Sequence, residues 1–102
     1  MDWLWKGPVP DMNKAIALLE VQAMVTAVTG LDAMLKAADV RLIHVEKRLG
    51  GRLVTVVVDG TVSDVTAAAE AGREAAARVG KVKLCEVIAN PHPEVTKFLY
   101  TD

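Results

Sequence analysis

The residues best placed to act on something outside the chain are Arg48 and Arg52, two guanidinium groups on either side of Gly50 and Gly51. A guanidinium stays charged at any physiological pH and presents its N–H donors in a fixed plane, which suits carboxylates and phosphates. The glycines between them leave backbone N–H groups uncovered and permit the positive φ of a tight turn. They lack the further glycines, the lysine and the hydroxyl of a phosphate loop, so the pair is no nucleotide-binding signal. Other reactive side chains do not gather. His44 falls mid-strand and His92 lies between Pro91 and Pro93, far along the chain, so no metal site is expected. Cys85, the single cysteine, excludes an internal disulfide and fits a reducing compartment; it reads as a small buried side chain. Nothing has the pattern of a nucleophile elbow. No catalytic residue and no cofactor is expected.

Composition narrows the classes further. The chain has 102 residues, enough for one domain with a modest core. Its apolar share of 52% comes chiefly from Ala, Val and Leu, with only four aromatic residues, which favours close packing and burial against further copies of the chain. Twelve basic residues against thirteen acidic ones give a net charge of −1, which attracts neither nucleic acid nor an anionic membrane. No apolar run reaches the length of a membrane-spanning helix, and the N-terminus lacks the regions of a signal peptide, so a cytosolic protein is expected.

These residues must be positioned by a small set of elements. Residues 1–13 carry Trp3, Trp5, Pro8 and Pro10 without periodicity; they read as a leader, or as a pair of indole anchors, ahead of a domain over 14–102. Residues 14–22 form an apolar strand. A helix over 24–38 follows, with Val25, Val28, Leu31, Met34 and Leu35 as its expected core stripe. Residues 41–49 and 52–59 read as strands joined by the glycine turn, the second strongly β-branched. Thr61 and Asp64 have the spacing of a helix N-terminus. The helix they open runs to Val79 with Val62, Val65, Ala69, Gly72, Ala76 and Val79 as its buried face, and Gly80 as its C′ stop. A strand over 81–89 and a short helix over 94–99 close the chain. The fold class is therefore α+β: a ferredoxin-like βαββαβ arrangement with a short C-terminal helix and a four-stranded antiparallel sheet. A regulatory, amino-acid-sensing domain acting as a dimer shares this topology. A nucleic-acid reader would need aromatic residues on the central strands, and there are none.

Several segments resemble the single-domain, hexamer-forming shell proteins of bacterial microcompartments, the BMC-domain family. The matches run through residues 15–99: Leu19-Glu20, Asp32 to Ala38, Glu46-Lys47, Leu53-Val54-Thr55-Val56, Gly60-x-Val62, Ala69-x-Ala71-Gly72, Val79-Gly80-x-Val82 and Pro91-His92. The resemblance implies a flat homohexameric tile with a central pore. Tiles join other shell proteins into a shell in the cytoplasm around encapsulated enzymes. It implies a pore lined by Arg48, Leu49, Gly50, Gly51 and Arg52, passing small metabolites that the arginines would bias towards anions. Some members carry an iron–sulfur cluster at the pore, which needs a loop cysteine; residues 46–56 contain none.

Two departures bear on the site. Five residues, Arg48 to Arg52, separate the Glu-Lys pair from the Leu-Val-Thr-Val strand where the family has four. Gly51 is then the expected narrowest residue and Gly50 the alternative, depending on which strand sets the alignment. At the tile edge, Lys36 matches the family's lysine and His92 its histidine, but Asn90 stands in place of an arginine. Asparagine is too short to fill a neighbour's pocket as arginine does.

Overall fold

The computed structural model describes residues 14–100. The order is β1 (Ala15–Gln22), α1 (Met24–Ala37), β2 (Arg41–Arg48), a 3-10 turn (Leu49–Gly51), β3 (Leu53–Gly60), α2 (Val62–Val79), β4 (Val82–Ile88) and α3 (Pro93–Tyr100). The strands form one sheet in the order β2-β3-β1-β4, and β1–β3, β1–β4 and β2–β3 all pair antiparallel. This is the α+β arrangement expected of the sequence. The leader over residues 1–13, with both tryptophans, lies outside the described residues.

Period-two alternation sorts the strands onto two faces. Ala15, Ala17, Leu19 and Val21 of β1, with Val54, Val56 and Val58 of β3, point towards α1 and α2 and are buried there with Met34 and Val65. On the opposite face Ile16 and Val57 are covered by Leu99 of α3, with Leu18 and Ile43 packed alongside. Asp59 on that face is fully buried and accepts from Arg41 Nε at 3.3 Å and Nη2 at 2.9 Å. The two-pronged contact compensates a carboxylate that would otherwise be costly to bury.

Two helices packed on four short strands need close approach, and glycine supplies it. A Cβ on Gly30 would lie 3.3 Å from the Gly72 carbonyl oxygen, and one on Gly72 would lie 3.2 Å from that of Gly30 and collide with Met34 Cγ. The two backbones therefore meet at this pair. Gly72, expected on the buried face of α2, makes its tightest contacts with α1.

Helix ends differ from each other. Thr61 caps α2: its Oγ1 accepts from the Asp64 N–H at 3.0 Å and donates to Asp64 Oδ2 at 3.0 Å. That agrees with the spacing in the sequence. Gly80 ends α2 at the C-cap rather than C′, with extended backbone (φ −159°) instead of the left-handed turn expected. Its missing side chain serves packing, because a Cβ there would collide with Thr26 Oγ1.

The buried stripe of α1 is displaced from the one that hydrophobicity predicts. Thr26, Ala27, Gly30 and Met34 face the core. Val25, Val28 and Leu35 are 64%, 56% and 44% exposed, and Leu31 is half-buried. Small residues predominate on the inner face because the helices approach closely at Gly30 and Gly72, where the long side chain of Met34 packs against Gly72. On α2 the same correction applies to Val62 and Val79, both exposed, while Val65, Ala68, Ala69, Gly72 and Ala76 are buried.

Candidate functional site

Arg48 ends β2 opposite Leu53, and the five residues from Arg48 to Arg52 form the hairpin tip. Leu49, Gly50 and Gly51 have φ of 54°, 66° and 89°, three left-handed residues in succession. The glycine requirement expected of the turn is met at both glycines. The third left-handed position falls on Leu49, where a side chain makes it strained. No atom lies within 4 Å of where a Cβ would stand on Gly50 or Gly51, so the tip projects into open space.

Its two arginines are held differently. Arg52 folds back on the turn: its backbone N–H donates to the Leu49 carbonyl at 3.3 Å and its Nε donates to the same oxygen at 3.1 Å. Arg48 is exposed at the strand end. Leu49 between them is 65% exposed. The tip is thus a small cationic knob with an apolar side chain at its crest.

An open cleft lies on each side of the tip. One, of about 470 Å³, is lined by Met24, Lys47, Arg48, Leu49, Gly50 and Gly51. The other, of about 520 Å³, is lined by Gln22, Ala23, Leu49, Arg52, Leu53 and Lys83. Neither lining includes a carboxylate. Gln22, Ala23 and Lys83 are additions that sequence reasoning missed. Lys83 occupies a bulge: Glu20 pairs with Leu84 and Val21 with Val82, leaving Lys83 between them. The sequence signals it only by the irregular alternation of Val82, Leu84, Val87 and Ile88.

The three residues expected at a tile edge are distributed along the fold, and two of them are engaged locally. Lys36, near the end of α1, pairs with Asp32 one turn earlier at 2.8 Å. Asn90 is exposed in the link from β4 to α3. His92 has a structural role. Its Nδ1 accepts from the Glu94 N–H at 3.1 Å, and its carbonyl accepts from Val95 and Thr96. His92 therefore caps α3, with Pro93 in the first-turn position that proline favours.

The remaining reactive groups are quiet. Cys85 is half-buried, its thiol 3.6 Å from the Ala69 carbonyl, and burial pushes its pKa up. Nearby Arg73 pulls the other way to a smaller extent. His44 pairs only with Glu46, at 3.2 Å on the strand surface. Among the described residues no group of three or more His, Cys, Asp or Glu side chains could hold a metal ion, and no helix is long and apolar enough to cross a membrane.

Known proteins resemble this chain. Residues 15–91 match the model of the BMC domain family. The bacterial microcompartment shell protein PduA of Citrobacter freundii is 44% identical over 87 residues, which is 85% of this chain and 92% of that protein. The carboxysome shell protein CsoS1A of Hydrogenovibrio crunogenus is 42% identical over 90 residues, or 87% of this chain and 93% of that one. Among solved structures, a microcompartment protein from Desulfitobacterium hafniense DCB superposes with a TM-score of 0.75 at 31% identity, covering 85% of this chain. The chain spans 47% of that longer one.

Proposed function

The chain belongs to the BMC domain family, and from that membership we propose that it is a structural subunit of a microcompartment shell rather than an enzyme. Its full-length similarity to named shell proteins of two compartment types supports the structural role. The finer reading is that six copies close into a tile whose hairpin tips ring a central pore. The supporting observation is the tip itself, which stands clear of its own domain and carries two cations and no acid.

Six such tips would place Arg48, Leu49, Gly50, Gly51 and Arg52 around the axis. Gly51, with Gly50 as the alternative, sets the narrowest point. Fixed guanidinium charge at a narrow opening lowers the barrier for anions and raises it for cations, so small anionic metabolites are the expected traffic. A tile also needs apolar surface to close. The outer side of α1 supplies Val25, Val28 and Leu35, with Val45 of β2 exposed close by and Val28, Leu31, Val45, Val54 and Val56 around a small apolar hollow. We assign this face to contact with a second copy.

Between tiles, Lys36, Asn90 and His92 form the edge, alongside other shell proteins of the same compartment. Asn90 is short and His92 is engaged in capping α3, whereas Lys36 need give up only an exposed ion pair with Asp32, so Lys36 carries most of that contact. The compartment lies in the cytoplasm, and the enclosed enzymes are the remaining expected partners.

Sedimentation mass decides the assembly. A species near six subunits is expected, and a stable dimer that binds an amino acid would replace this reading with the regulatory one. With the mass established, replacing Arg48 and Arg52 together by alanine should reduce anion conductance in a bilayer by several-fold without changing that mass. Unaltered conductance would remove the arginines from the pore.

A further inference from the structure

We propose that the cleft between the hairpin tip and the start of β4 binds a small organic anion, namely a carboxylate carried on a short apolar chain. This rests on the pore reading above and deepens it by naming the class of anion that the tip holds. The observations that carry it lie in the cleft.

Three stretches of chain meet there: the end of β1 with Gln22 and Ala23, the tip with Leu49, Arg52 and Leu53, and the bulge at Lys83. Backbone bonds tie them together. The Gln22 N–H donates to the Lys81 carbonyl at 3.0 Å, and the Ala23 N–H donates to the Arg52 carbonyl at 3.1 Å. The walls are therefore set before any ligand arrives, which spares the cost of ordering them on binding.

The charge in the cleft is uncompensated. Arg52 spends its Nε on the Leu49 carbonyl, which orients the guanidinium and leaves its terminal N–H groups available. Neither Arg52 nor Lys83 makes an ion pair among the described residues, and no Asp or Glu lines the cleft. Two cations on a concave surface reinforce each other's field. α1 begins at the same place with no side-chain cap and no acidic residue in its first turn, so its positive end adds to that field.

Charge alone would suit any anion. The other half of the lining selects among them. Ala23, Leu49 and Leu53 offer apolar surface beside the cations, and the Gln22 amide can donate to or accept from a hydroxyl or carbonyl. Ala23 and Leu49 are also the two non-glycine residues described with positive φ, at 77° and 54°. Strained backbone of this kind gathers where a site needs a particular wall. Here both examples belong to one cleft.

Isothermal titration of the full-length assembly with butyrate, acetate and inorganic phosphate tests the proposal. Burying the two extra methylenes should make butyrate bind about fivefold to tenfold more tightly than acetate, and phosphate should bind more weakly than butyrate. Lys83→Ala should weaken butyrate about tenfold, through loss of a charge-assisted contact. Lys83→Gln should weaken it similarly and guards against a packing effect at the bulge. Lys47→Ala, which removes the same charge from the cleft on the other side of the tip, should change the affinity by less than about twofold. Equal binding of acetate and butyrate would overturn the proposal. So would phosphate binding as tightly as butyrate, an unaltered affinity in either Lys83 variant, or an equal loss with Lys47→Ala. The pore reading fails on a separate readout: absence of conductance through the assembly, with butyrate binding intact, would sink the pore and leave the cleft.

Discussion

The two long helices share one contact line and differ on almost everything else. α1 and α2 meet through Gly30 and Gly72 at backbone distance. Away from that line α2 presents Glu70, Arg73 and Glu74 to water, whereas α1 presents Met24, Val25, Val28 and Leu35. Their N-termini differ in the same sense. α2 opens on a threonine cap with an acid behind it, and α1 opens on a strained alanine with neither. A helix whose outer face is polar and whose start is capped is finished within its own chain. One with a run of exposed apolar side chains and a bare start fits the contact with a second copy proposed above.

The shared line is the first place to break. Gly72→Leu must displace Met34 and the Gly30 carbonyl together, and a cost of about 3 kcal/mol or more is expected. Chemical denaturation would register it, and a midpoint near that of the unmodified chain would show that the helices can part more easily than their spacing implies. Next comes the outer face of α1. Val25→Asp combined with Val28→Asp should abolish the oligomer while leaving the circular dichroism of the subunit intact, since both valines are more than half exposed. Persistence of the full-mass species would move the interface elsewhere.

The helix starts are worth less. Thr61→Ala should lower stability by about 1 kcal/mol by leaving the Asp64 N–H without its acceptor. Ala23→Gly should raise it by up to about 1 kcal/mol, because relief of the left-handed backbone outweighs the extra flexibility of an unfolded glycine. A loss at Ala23→Gly would mean that the strain is not borne there. Smallest of all, Glu70→Ala with Glu74→Ala on the outer face of α2 should shift neither assembly nor stability by more than about 0.5 kcal/mol, as measured by mass and thermal melting.

Much of this was legible before any coordinates. The β-branched run over Leu53 to Val58, the glycine pair and the Thr61–Asp64 spacing each act through backbone preferences of neighbouring residues. Such preferences are properties of the local sequence. The phase of α1 was not legible, because hydrophobicity pointed to valines while close packing put Thr26, Ala27 and Gly30 beside Met34 on the inner side. Gly80 ends α2 as its position in the sequence suggested, but its absent side chain also makes room for Thr26, a contact between residues far apart in the chain. His92, expected at a tile edge, also caps α3 through its ring.

The amino-acid sequence by itself determined the order of elements, the hairpin with its cationic glycine tip and the family to which the chain belongs. Each of these rests on residue types at short or regular spacing. Only the tertiary structure decided which face of α1 is left open and that Lys83 stands beside Gln22 and Ala23 at the tip. Those facts follow from strand register, a bulge and the distance between two helices. All three arise when distant segments pack, so no window of neighbouring residues contains them.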